Sequence, residues 1–202
     1  MSVRLAVLVS GSGTILEAML ESGLAVAVVA ADRPCRGLEV ARAHGVAAQL
    51  VDRAGFGGFG AGFDRAGYSA ELARVLEERG IDLVAMAGFG TVLDAAFHRA
   101  FPGRVLNTHP SLLPAFRGWH AVAAALAAGV SETGCTVHVA TEALDDGPIL
   151  AQARVAVEAA DSEASLHERI KDVERVLYPR VVARVMAAVD RGGEATDVVG
   201  EV

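Results

Sequence analysis

Two cysteines, one tryptophan and a single lysine, Lys171, are all that this chain of 202 residues contains of those types. Cys35 and Cys135 lie far apart and outside any CxxC or Cys/His spacing, so both are expected as buried or free thiols, not a disulfide or a zinc site. No run of about 18 apolar residues occurs, which excludes an ordinary membrane-spanning helix. The opening MSVRLAVLVSGSG lacks an apolar stretch followed by a cleavage site. No secretory leader is expected, and the cytoplasm is the default compartment. Basic residues are outnumbered, 18 Lys+Arg against 25 Asp+Glu for a net charge of -7. That balance argues against a broad interface with nucleic-acid phosphates. The histidines show no HxxxH or other ligand spacing, so no metal is expected.

A content of 52% hydrophobic residues suits one globular domain with a sizeable core. Short β-branched runs at 3–10, 25–31, 47–51, 82–88 and 104–108 have the length of buried strands. Between them, 13–22, 36–44, 66–80 and 91–100 repeat apolar residues at helical intervals. Such alternation predicts an α/β fold, an open, mostly parallel Rossmann-like sheet with helices on both faces. From about 134 the rhythm changes to two strand-like runs, GCTVHVAT and PILAQARVAV, which read as a late antiparallel strand pair. A last helix is expected over about 162–190, opened by Asp161 and Ser162. The glycine-rich GFGGFGAGF at 55–63 reads as a loop with packed aromatics, because it does not sit between a strand and a helix as a phosphate cradle does.

Three stretches carry chemistry. SGSGT at 10–14 follows the first strand and opens the first helix, where backbone N–H groups and the helix N-terminus can hold a phosphate. Leu16 stands where a dinucleotide fingerprint needs its last glycine, so a mononucleotide or sugar phosphate fits better, and a ligand-free turn stays open. NTHPSLLP at 107–114 sets Asn107 and His109 two apart at a strand's carboxyl end, on one face, with Pro110 stopping the strand. In open α/β sheets that end is where ligands bind, although a simple Asn/His turn cap reads the same way. LDDGP at 144–148 is either a solvated turn or a carboxylate folded back on an imidazole. His138 reads as a hydrogen-bonded residue on one strand face and His120 as a helix cap, while His44, His98 and His167 fall in helical contexts expected to be exposed.

Together with DLVAMAGF, VLNTHPSLLPAF.G.H, G.TVH......DDGPILAQ and HERIKDVERVLYP, these stretches make the chain resemble the folate-dependent formyltransferases over nearly its whole length. The resemblance implies one domain over 1–202, with a phosphate-binding half to about 100 and a catalytic half beyond it. It also implies transfer of a formyl group from the co-substrate 10-formyltetrahydrofolate to the amine of 5'-phosphoribosylglycinamide in purine biosynthesis. Asn107, His109 and Asp145 would be catalytic, with Asp145 raising the pKa of His109. Gly13, Thr14, Ile15, Lys171, Asp172, Val173 and Glu174 would bind the amine substrate. Arg65, Gly90, Thr91, Val92, Leu93, Asn107, Thr141, Glu142, Ala143, Leu144 and Asp145 would bind the folate. Ile15 stands where the family usually has Asn, Gly90-Thr91 where Met-Arg is common, and Trp119 where a smaller residue is usual. The expected partners are small molecules, with neither nucleic acid nor membrane, and the resemblance leaves a homodimer open. FRG at 116–118 resembles formyltransferases acting on other amines, such as amino sugars, and a non-catalytic ligand-binding homologue is the further alternative.

Overall fold

The computed structural model describes residues 2–199. Seven strands form one sheet in the order β3-β2-β1-β4-β5-β6-β7. The first five, β1 (Leu5–Val9), β2 (Val26–Ala31), β3 (Ala47–Leu50), β4 (Leu83–Met86) and β5 (Val105–His109), run parallel. The last two, β6 (Glu132–Val139) and β7 (Ile149–Ala156), are antiparallel additions beside β5. The expected architecture and its late antiparallel pair are both present.

Residue parity sorts the core. Leu5, Val7 and Val9 of β1 join Leu83 and Ala85 of β4 in one apolar cluster, whereas Ala6 and Leu8 join Val84 in another. Successive side chains leave a strand on opposite faces, so continuous apolar runs require cover on both sides. On the first face lie α1 (Thr14–Glu21), α2 (Arg36–Ala43) and the 28-residue α6 (Glu163–Asp190), contributing Leu16, Leu38 and Val181 among others. On the second lie α3 (Arg65–Glu77) and α4 (Ala95–Ala100), contributing Leu72 and Phe97. The remaining helix, α5 (Ala121–Ala127), packs Val122 into the first cluster.

Ser162 caps α6 by accepting the N–H of Ser165 at 3.2 Å, as its position suggested. The expected helix over 91–100 begins only at Ala95, because Asp94 takes the capping position and accepts from Ala96 N at 2.9 Å. Residues 91–94 are thereby left as a loop beyond the carboxyl end of β4, the central strand. The glycine-rich 55–63 segment is a loop anchored by its aromatics: the ring of Phe63 lies against Tyr68, and the guanidinium groups of Arg33 and Arg53 lie over the exposed ring of Phe59. Cys35 and Cys135 are both free.

Candidate active site

Two of the strand connections part company between β1 and β4, since the chain leaves β1 toward β2 and β4 toward β5. At such a switch point the loops diverge and open a crevice at the strands' carboxyl ends. Ser10 and Gly90 follow those two strands, and Gly90 N donates to Ser10 Oγ at 2.5 Å, tying the two walls together.

Asn107 and His109 lie at the end of β5, with Thr108 between them on the opposite face. In the antiparallel register Asn107 pairs directly with His138 of β6, and their side chains meet at 3.2 Å, Nδ2 to Nε2. Burial pushes the His138 pKa below its ordinary value, so the ring is neutral. Its Nδ1 donates to Val139 O at 3.1 Å, which leaves Nε2 as the acceptor for the amide of Asn107. His138 therefore fixes the orientation of Asn107, and one N–H of that amide remains for a ligand.

Two loops hold His109. Phe116 and Asp145 are the non-glycine residues with positive φ among those described, 55° and 52°. Backbone in this region is uncommon for such residues and collects at functional sites. The carbonyl of Phe116 lies 2.8 Å from His109 Nε2, and Asp145 Oδ2 lies 3.3 Å from Nδ1. Both partners are acceptors, so the doubly protonated ring satisfies both at once. Asp145 Oδ2 also accepts the N–H of Gly118 at 2.9 Å, and Oδ1 stands 3.7 Å from His138 Nε2. Gly147 lets this loop close: a Cβ there would sit 1.7 Å from Val139 O. The carboxylate does fold back on the imidazole. Its neighbour Asp146 points outward to pair with Arg117.

A cavity of about 350 Å³ opens onto these groups, lined by Asn107, His109, His138 and Asp145. Gly90, Thr91, Val92, Leu93, Thr141, Glu142 and Leu144 form its other walls. Arg65, exposed in the first turn of α3, and Ala143 are not among the lining residues. Thr91 is buried, and its hydroxyl donates to Asp32 at 2.7 Å while accepting from Arg53 at 3.1 Å. Gly90 leaves room for another arginine, since a Cβ there would lie 3.1 Å from Arg33 Nη2.

On the other face of the sheet, Gly13 (φ 74°) begins α1 with no side-chain cap, leaving the first N–H groups of the helix open. The turn is braced by Gly37 N to Gly11 O at 3.0 Å and Arg36 Nη1 to Ser12 O at 2.7 Å. Ile15, expected on the substrate side, packs its side chain into the core at 8% exposure. Only its backbone N–H is available to a ligand. Glu174 of α6 is buried, and burial raises its pKa, while Lys171 pairs with Glu168 at 2.7 Å and Asp172 with Arg175 at 2.6 Å.

Residues 3–182 match the formyl transferase family. The chain belongs to that family. It is 42% identical over 185 residues to phosphoribosylglycinamide formyltransferase of Mycobacterium tuberculosis, an overlap of 89% of this chain and 83% of that one. It is also 36% identical over 200 residues to the trifunctional purine biosynthetic protein adenosine-3 of Gallus gallus, covering 96% of this chain but only 19% of that protein. Glycinamide ribonucleotide transformylase 1 of Symbiobacterium toebii superposes with a TM-score of 0.83 at 43% identity, covering 89% of this chain and 85% of its own.

In this formyltransferase, His98 and His167 are half-buried and line the cavity, against the expectation of exposure. For His98 the helical repeat misleads, because α4 is six residues long and lies against the crevice. The backbone groups of Phe116 and Gly118 that hold His109 and Asp145 carry no side-chain signal at all.

Proposed function

We propose that this enzyme moves the formyl group of 10-formyltetrahydrofolate to the primary amine of 5'-phosphoribosylglycinamide in purine biosynthesis. The observation that carries this reading is His109, held at both ring nitrogens by acceptors on two left-handed loop residues. The amine nitrogen attacks the formyl carbon, and its oxygen gathers negative charge. The free N–H of Asn107 is the donor for that oxygen, and the His109 ring, whose two N–H groups are engaged by Phe116 O and Asp145, stabilises it by its charge; oriented donors and charges lower such barriers. Collapse breaks the bond from carbon to the folate nitrogen, which takes up one proton, balancing the one that the attacking amine gives up. The amine's proton leaves toward Asp145, directly or through water.

The two substrates approach from different sides. The folate takes the cavity along 90–93 and 141–145. The nucleotide phosphate takes the N–H groups of Gly13, Thr14 and Ile15, while the 171–174 turn of α6, through Glu174, meets the ribose or glycinamide part. Support comes from strand parity: Thr108, between the two catalytic residues, points to the α6 side, where Glu174 lies. The test is an acceptor panel with 10-formyltetrahydrofolate as donor, comparing phosphoribosylglycinamide, amino sugars and no added amine. Transfer to phosphoribosylglycinamide at a kcat/KM at least a hundredfold above the others is expected. A preference for an amino sugar, or folate hydrolysis alone, would overturn the assignment.

A further inference from the structure

His98 is a titratable cavity residue that this chemistry leaves without a task. It lines the cavity together with Leu93, Ala140 and Glu142. Its Nδ1 is sealed from solvent and has no hydrogen-bond partner, and its ring meets Phe97 edge-on, centroids 6.2 Å apart. Burial lowers its pKa, with Glu142 and Asp94 opposing the shift, so the ring is neutral near pH 7. A neutral imidazole has one N–H and one lone pair. A proton on Nδ1 would be a buried donor with no acceptor, a state rarer in proteins than an unfilled acceptor. The proton therefore sits on Nε2, the ring nitrogen left to a cavity ligand since Nδ1 is sealed off and the residue lines the cavity.

We infer that His98 is a recognition residue for the co-substrate, its Nε2–H donating to a ring nitrogen or carbonyl oxygen of the folate's bicyclic heterocycle. This rests on the reading that the cavity takes formyl-folate. The heterocycle is the part of that molecule with apolar faces and a polar edge. The wall around His98 matches it, with Met86, Val92, Leu93 and Ala140 apolar and Glu142 an acceptor beside the donor. No hydrogen bond joins His98 to Asn107, His109 or Asp145 among the described residues, so its contribution is to binding and not to the chemical step.

The experiment compares His98→Val, which keeps an apolar wall, with His98→Gln, which restores an N–H. In His98→Val the KM for 10-formyltetrahydrofolate should rise roughly three- to tenfold, the equivalent of one neutral hydrogen bond. The kcat and the KM for the amine should stay unchanged, and Gln should recover most of the loss. An unchanged folate KM in His98→Val overturns the inference, as does an equal loss in the Gln variant. Nitrogen-15 NMR of the histidine-labelled parent gives a check that needs no variant. The free enzyme should show the Nε2-protonated tautomer, with the Nε2 resonance moving when 10-formyltetrahydrofolate is added without amine. A proton on Nδ1, or a resonance that does not move, refutes it. A parent that transfers no formyl group from this donor would instead sink the reading of the cavity, a result distinct from an active parent indifferent to His98.

Discussion

Replacing Asp145 by Asn removes one charge from the centre of the site and almost nothing else. Oδ2 faces two donors, the N–H of Gly118 at 2.9 Å and His109 Nδ1 at 3.3 Å, so the Asn carbonyl must take that position. The amide NH2 then points toward His138 Nε2, 3.7 Å from the present Oδ1. Both bonds to Oδ2 survive in geometry, and the loss is electrostatic. A unit charge pair at this separation is worth about 5 kcal/mol at an effective dielectric of about 20. The amide dipole recovers part of that, which leaves about 3 kcal/mol and a fall in kcat of about 10²-fold. Asp146→Asn is the control, because Asp146 is exposed and its partner Arg117 lies at the surface. Exposed ion pairs contribute ~0–1 kcal/mol, so that variant should stay within about threefold of the parent. The assay is turnover at saturating substrates, with circular dichroism to confirm folding. A kcat for Asp145→Asn within threefold of the parent would refute the assignment, and so would equal damage from Asp146→Asn.

Glu174→Gln should raise the melting temperature at pH 7 and leave it unchanged near pH 4. The folded-state pKa of Glu174 is raised by burial, so its contribution is intact below the unfolded value and is lost as pH rises through the folded one. The same variant should raise the KM for phosphoribosylglycinamide; a melting temperature lowered at pH 7 would contradict the burial argument. His138, with His98 and His167, has its pKa lowered by burial, so stability is intact above about pH 6.5 and declines below it as the unfolded chain takes up protons. Melting curves from pH 7.5 to 5 should show that decline, shallower in His138→Gln; equal slopes would mean the ring titrates normally. Ile15→Asn should lower stability by roughly 1–3 kcal/mol, as expected for a buried amide without a partner, and leave the KM for phosphoribosylglycinamide alone. A lowered KM would show that the Asn side chain reaches the phosphate after all.

The layout of the sheet was legible because each strand is an apolar run of fixed length and each helix repeats at its own period. The strand-end pair was legible for the same reason, since Asn107 and His109 share a face by parity alone. The resemblance put Asp145 beside them. Helix periodicity misplaced the start of α4, where the capping of Ala96 by Asp94 outweighs the apolar repeat, and it sent His98 to the surface.

What the sequence determined by itself is therefore local: strand and helix identity, the parity of Asn107 and His109, the uncapped glycine turn at Gly13. Only the tertiary structure decided which partners those groups meet. The register of β5 against β6 brings His138 to Asn107, and the folding back of two loops, one just after β5 and one after β6, delivers Phe116 O and Asp145 to the two nitrogens of His109. The same packing turned Ile15 inward to the core. Periodicity is a property of neighbours along the chain, whereas these contacts join residues separated by 31, 7 and 36 positions, and nothing in a local repeat encodes which of them will touch.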